Sequence, residues 1–273
     1  MARLIRLQNR TAVVTGAASG IGRALAISLA RRGCHLALAD IDEQKLEDTA
    51  RTVASTGLRV SRYRLNVADR DAVAKFPEAV LANHAGVDVL VNNAGVAIGG
   101  TFEEASEEDF EWLFGINFWG VVRMTRAFLP LLKKSDDARV VNISSVFGLV
   151  SPPRQTAYSA SKFAVRGFSN ALRHELAGSN VGVTVVHPGG VATSIADNAR
   201  PPKNATVEQI AQRRALFKRV ARLPPETAAE IIVKGMERRA SRVLVGRDAR
   251  MMAVLERLAP VSYWKILGRI LPA

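Results

Sequence analysis

Tyr158 and Lys162 stand four residues apart in the stretch QTAYSASKFAVRGF. On a helix, positions i and i+4 stack on one face, so a phenol and an ammonium would be held side by side. A free tyrosine titrates near pKa ~10, and a nearby cation favours its phenolate, which brings proton exchange closer to neutral pH. The pair alone fits equally a half-buried tyrosine beside a solvated lysine. A second group of residues suggests what else stands beside it. The run TGAASGIG places glycines at Gly16, Gly20 and Gly22, where they let the chain turn tightly and let a pyrophosphate approach amides at a helix N-terminus. The following strand-like run ends in Asp40, about 20 residues on, where a carboxylate can accept from the hydroxyls of an adenosine ribose.

Positioning such groups requires a regular scaffold. The short runs TAVVTG, HLALAD, RVSRYRLN, VDVLVNN, RVVNISS, GVTVVHPG and SRVLVG each precede a helix-like segment. Uninterrupted apolar runs of this length suit strands covered on both faces, and their alternation with helices implies βαβ units. The expectation is an α/β fold: a doubly wound, Rossmann-type, mostly parallel sheet of seven strands with helices on both faces, forming one domain over residues 1–273. Residues 194–225, bordered by Pro201, Pro202, Pro224 and Pro225, fall outside this rhythm and read as an insertion with one or two helices. Residues 248–273 read as an amphipathic basic extension. Met251, Val254, Leu255 and Leu258 share one side; beyond Pro260, Tyr263, Trp264, Ile266, Leu267, Ile270 and Leu271 face away from Lys265 and Arg269. Such a face must be covered by the protein's own body, by a neighbouring subunit or by a lipid interface, so peripheral membrane contact stands beside packing on protein.

Composition narrows the function classes. With 48% hydrophobic and 23% charged residues the chain is globular. Its single cysteine, Cys34, excludes an internal disulfide framework, and His35, His84, His174 and His187 are too far apart for a local metal motif. No metal is expected. The start MARLIRLQNR lacks the apolar core of a signal peptide, and the absence of long apolar runs leads us to expect a cytoplasmic protein. The net charge is +13, of which residues 200–273 supply 16 Lys+Arg against 6 Asp+Glu. No helix-turn-helix or RNA-binding signature accompanies that excess, and no nucleic-acid partner is expected.

TGAASGIG, NNAG (Asn92 to Gly95), Asn117 in INFWG, NISS (Asn142 to Ser145), YSASK and PGGVAT (Pro188 to Thr193) occur in an order and spacing that resembles the short-chain dehydrogenase/reductase family, over about residues 9–193. The resemblance implies an NAD(P)-dependent oxidoreductase interconverting an alcohol and a ketone or aldehyde, with Tyr158 as general acid/base. It implies that Lys162 lowers the Tyr158 pKa and bonds the nicotinamide ribose. Ser145, thirteen positions before the tyrosine, would bind the substrate oxygen in preference to Ser144, and Asn117 would hold a water linking Lys162 to solvent. It assigns cofactor contacts to Gly16, Ser19, Gly20, Ile21, Gly22, Asp40, Asn66, Val67, Asn93, Ala94, Gly95, Pro188, Gly189, Val191 and Thr193, the last for the carboxamide. Two departures stand out: Asn66 where the family commonly has Asp, still able to accept from an adenine amino group, and an additional glycine, Gly190, beside the cofactor.

Asp40 would repel a 2′-phosphate, so NAD is expected in preference to NADP; Arg23 competes with that reading unless it points to solvent. The resemblance also implies a homodimer or homotetramer through the helical stretches Glu108 to Leu132 and Gln155 to Ala177. Residues 194–225 would enclose a small alcohol or carbonyl substrate, apolar or amphipathic. Arg154 would either meet a substrate carboxylate or form a surface ion pair. A nucleotide-binding sensor or scaffold without turnover is the alternative; it has no need for Tyr158, Lys162, Ser145 and Asn117 together.

Overall fold

Ala12 and Val14 of the first strand pack into one hydrophobic core and Val13 into another. Side chains of a strand alternate between faces, so a continuous apolar run is what a sheet buried on both sides demands. The computed structural model describes residues 4–54 and 57–270. In chain order the first half comprises β1 (Thr11–Thr15), α1 (Gly20–Ala30), β2 (His35–Asp40), α2 (Glu43–Ala54), β3 (Val60–Arg64), α3 (Arg70–Leu81), β4 (Val89–Asn92), α4 (Glu107–Phe114) and α5 (Gly120–Leu132). The second half comprises β5 (Ala138–Ile143), α6 (Thr156–Glu175), β6 (Val181–Pro188), α7 (Val207–Val220), α8 (Pro225–Glu237), β7 (Arg242–Val245), α9 (Arg247–Leu258) and α10 (Tyr263–Ile270).

The seven strands lie in the order β3-β2-β1-β4-β5-β6-β7. All neighbouring pairs are parallel. The expected sheet is therefore present. Chain direction across the sheet reverses between β1 and β4, and ligands of such sheets bind at that switch point, outside the carboxyl ends of the strands. One core face carries Leu25, Leu29, Leu36 and Ile232, and the other carries Phe76, Phe128, Leu132 and Leu172.

Three departures from regular α/β winding surround the switch point. Between α4 and α5 the helix widens into a π-helical turn, Gly115–Trp119, which carries Asn117; such turns recur at functional sites. Residues 194–225 hold one helix, α7, opened by a Thr206–Gln209 capping box and with no buried residue. This lobe is tied to the body by bridges Ile98 to Arg200 and Val191 to Leu223, and by the Arg200 guanidinium 3.6 Å from the Trp112 ring centroid. The third departure is the tail. α10 buries Leu267 and half-buries Tyr263 and Trp264 against Val146, Val150 and Met252. The Tyr263 hydroxyl accepts from Ser151 N at 2.9 Å.

The protein's own body does not cover the apolar side of α9 that the sequence singles out, apart from Leu255. The helix's covered residues are Ala249, Met252 and, in part, Leu255, whereas Met251, Val254 and Leu258 are exposed. Leu271 and the Ile270 side chain lie outside the described residues. No helix among the described residues is long and apolar enough to cross a membrane.

Phe128 is fully buried and meets Phe76 edge-on, centroids 5.4 Å apart. Phe128→Ala should cost about 3–5 kcal/mol, read as a lower urea midpoint at unchanged slope. A midpoint like that of the parent protein would refute this account of the core.

Candidate active site

The first turn of α6 carries Tyr158, and one turn on comes Lys162. The ammonium is buried, donates to Ile143 O at 3.1 Å and sits 5.6 Å from the Tyr158 ring centroid. No carboxylate pairs with it among the described residues, and burial lowers its pKa to about 8. The expected effect on the tyrosine is not the dominant one. Burial pushes the Tyr158 phenol up to about 12, and the hydrogen bond with the Ser145 hydroxyl works against that rise. Desolvation of a phenolate outweighs the help available from a cation held at ring distance.

Ser145 ends β5 and caps the short 3₁₀ turn Val146–Gly148, its hydroxyl accepting from Phe147 N at 3.1 Å. Phe147 in turn lies edge-on to Tyr158, centroids 6.2 Å apart. Ser144 points the other way and donates to Lys162 O at 2.8 Å. Of the two serines, only Ser145 faces the phenol. His187, considered in the sequence only as a metal ligand and set aside, is fully buried at the end of β6 and bonds Ser145 O through Nδ1 at 2.8 Å. Since a carbonyl only accepts, Nδ1 carries the proton; burial holds the ring near pKa about 4 and therefore neutral.

Asn117 accepts from Val96 N at 2.8 Å and donates to Val96 O at 3.0 Å and to Ser161 Oγ at 3.2 Å. Its amide ties the π-helical turn to the segment after β4 and to α6. A Cβ on Gly95 would lie 3.2 Å from Asn117 Oδ1 and 3.4 Å from Lys162 Nζ. Gly95 thus borders the same space as the lysine.

At β1 the chain turns with Gly16 at φ 65°, and a Cβ on Gly22 would stand 1.9 Å from Gly16 O. Only glycine fits there. Asn93 locks the turn by donating to Thr15 O and Gly16 O at 3.0 and 3.1 Å, while Asn93 N and Ala94 N donate to Thr15 Oγ1. Asp40 accepts from Ala18 N at 2.9 Å and from Asp42 N at 3.1 Å. Helix α1 begins after Ser19 with no side-chain cap and no acid in its first turn. Its positive end is left for an anion, and Gly20 brings it against Thr193. A cleft of about 450 Å³ opens there, lined by Gly20, Thr193, Ser194, Phe217 and Lys218 rather than by Tyr158. This bare helix end and the Cβ-free turn fit a dinucleotide.

The remaining expected contacts fall around this opening. Ile21 packs partly on the core, Val191 is buried, and Val67 packs so closely on Gly120 that a Cβ there would be 2.8 Å from it. Asn66 Oδ1 accepts from Ala68 N at 3.0 Å, leaving one lone pair for another donor. Gly190 has a different explanation from the one expected. Pro188 and Gly189 are followed by a turn whose Gly190 N donates to Asp248 Oδ2, and a Cβ on Gly190 would lie 2.6 Å from Val220 O. Close backbone approach requires this glycine. Asp248, in the first turn of α9, is a second residue the sequence did not reveal. Arg154 is salt-bridged to Glu104 at 3.0 Å, and Arg23 reaches Thr52 Oγ1 at 3.4 Å.

The buried ammonium has a stability consequence. Its pKa falls from an ordinary 10.5 to about 8 on folding, so the unfolded chain binds the proton more tightly. Stability is withheld below about pH 8 and regained as pH rises from there toward 10.5. Lys162→Met should therefore stabilise the protein at pH 7, by on the order of 1–3 kcal/mol, with the advantage shrinking as pH rises above about 8 and largely gone near 10.5. Thermal unfolding across that range checks it; a variant less stable at pH 7 would contradict it.

A family model described as short chain dehydrogenase matches residues 10–204. SadH of Mycobacterium tuberculosis, named as an oxidoreductase, is 43% identical over 263 residues, covering 96% of this chain and 95% of its own. The 3-oxoacyl-(acyl-carrier-protein) reductase FabG of Thermotoga maritima is 35% identical over 71% of this chain and 78% of its own. Among solved structures, a short chain dehydrogenase/reductase from Burkholderia phymatum in complex with NAD superposes with a TM-score of 0.86 at 34% identity, covering 93% of this chain and 95% of that one. Sequence match and fold agree over nearly the whole length, and the chain belongs to the short chain dehydrogenase family of oxidoreductases.

Proposed function

We propose that the protein interconverts an alcohol and a ketone or aldehyde with NAD, as one dinucleotide-binding domain over residues 1–273 in which residues 194–225 enclose the substrate. The carrying observation is the hydrogen-bonded Tyr158–Ser145 hydroxyl pair set beside the buried Lys162. A bound nicotinamide supplies the hydride acceptor or donor. The chain supplies orientation and a proton. Ser145 and Tyr158 grip the substrate oxygen; in reduction the Tyr158 phenol gives its proton to that oxygen, and in oxidation the phenolate takes it. At pKa about 12 the phenol is the resting form, suited to donation. Lys162, near pKa about 8, can replenish it. Asn117, whose side chain is committed to Val96 and Ser161, would hold the water that links Lys162 to solvent.

A nucleotide sensor without turnover would have no use for His187 and Phe147 fixing Ser145 against the phenol. The enzyme is taken as a cytoplasmic homodimer or homotetramer. Trp119 and Phe163, exposed on the helical stretches expected to pair, support that assembly.

Tyr158→Phe should cut turnover by ~10²- to 10⁴-fold with NAD affinity nearly unchanged, measured on ketones and secondary alcohols by NADH absorbance. Turnover at the parental rate would end the assignment.

For the cofactor, Asp40 is held by Ala18 N and Asp42 N, and Arg23 is engaged with Thr52 rather than with that carboxylate. A 2′-phosphate would meet a fixed negative charge, at a cost of about 1–4 kcal/mol near the surface. Fluorescence titration should show NAD⁺ binding at least about tenfold tighter than NADP⁺, and tighter NADP⁺ binding would reverse the proposal.

A further inference from the structure

Helix α9 follows the edge strand β7 and turns one side outward. Its exposed residues are six: the arginines Arg247, Arg250 and Arg257, and the aliphatic Met251, Val254 and Leu258. The aliphatic three are 48%, 57% and 77% exposed. Neither acid of the helix shares this face. Asp248 turns its carboxylate to Gly190 N, and Glu256 is half-buried. The pattern continues past the helix, where Val261 is 95% exposed and Ile266 45% exposed between Lys265 and Arg269. From Arg247 to Arg269 no acidic residue is exposed.

A soluble surface ordinarily mixes charges of both signs, and large aliphatics in water have no function there. The charge pattern decides among occupants. A symmetric contact with a second copy would gather the arginines of both copies in one interface with no exposed carboxylate of this face among them. A nucleic-acid backbone would satisfy the arginines and leave Met251, Val254 and Leu258 in water. An anionic lipid surface satisfies both, taking aliphatic side chains at the acyl boundary and guanidinium groups among phosphates. We propose that the α9 face, extended by Val261 and Ile266, docks the protein on anionic membrane surfaces. α10 turns its larger apolar side, Leu267 with Tyr263 and Trp264, inward onto the turn after Ser145. The docking surface therefore adjoins the substrate-binding turn, and docking would bring that side of the protein to the lipid. This inference does not rest on the oxidoreductase reading, because its test reads binding and not turnover.

The intact protein should co-sediment with vesicles of equal parts phosphatidylglycerol and phosphatidylcholine and stay in solution with phosphatidylcholine alone. Salt should release it as the Debye length shrinks from ~10 Å at 0.1 M to ~3 Å at 1 M. Val254→Ser with Leu258→Ser should lower the bound fraction about tenfold, and Arg250→Gln with Arg257→Gln should remove the preference for anionic vesicles. All four side chains are exposed, so the variants should melt with the parent protein. The proposal is overturned by failure of the intact protein to bind anionic vesicles, by binding that the substitutions leave unchanged, or by vesicle-free sedimentation in which the same substitutions dissociate an oligomer.

Discussion

An ammonium ion drawn out of water, with no carboxylate among the described residues to receive it, is the constraint around which this end of the sheet is arranged. Desolvating such a charge costs several kcal/mol, and Lys162 recovers only part of that from Ile143 O and the face of Tyr158. The surrounding chain holds the ion in place. Ser144 fixes the lysine's own carbonyl, and Gly148 lies so close that a Cβ would stand 2.4 Å from Ser144 Oγ and 2.8 Å from Lys162 O. Asn117 ties the π-helical turn to Val96 and to Ser161, one residue before the lysine. A site that spends stability in this way depends on cores such as the Phe76–Phe128 cluster, which offset it elsewhere.

The same low-polarity setting explains the direction of the tyrosine's shift. A buried phenol that packs on the cluster of Ile98, Leu113 and Ala157 and lies edge-on to Phe147 is poorly solvated in its anionic form. The single hydrogen bond from Ser145 opposes that effect without reversing it. The phenol is thus a weak acid held against Ser145, whose own place is fixed by His187 and Phe147.

Elements whose signal is local were legible in the sequence. β1 and β2 show as continuous apolar runs, and Gly16, Gly20, Gly22, Tyr158 and Lys162 announce themselves by spacing. The thirteen-residue offset separates Ser145 from Ser144, and the structure shows why, since the two side chains point in opposite directions. Residues that act across long stretches of chain gave no such signal. Asp248 reaches Gly190 across 58 positions, and His187 reaches Ser145 across 42. Periodicity also fails to say which side of a helix is covered. α9 offers two apolar sides, Met251 with Val254 and Leu258, and Ala249 with Met252, and the fold buries the second, against Val146 and Val150 beside Ser145.

The bond from Gly190 N to Asp248 also orders events in time. A chain is made from its N-terminus and folds as it emerges. The glycine turn, Asp40 and the Tyr158–Lys162 pair all leave the ribosome long before residue 248 does. Until α9 arrives, the turn after β6 lacks the carboxylate that receives Gly190 N, and is held by its bonds to Leu223 and Val245. A dinucleotide therefore meets this turn in its finished form only after residue 248 has emerged.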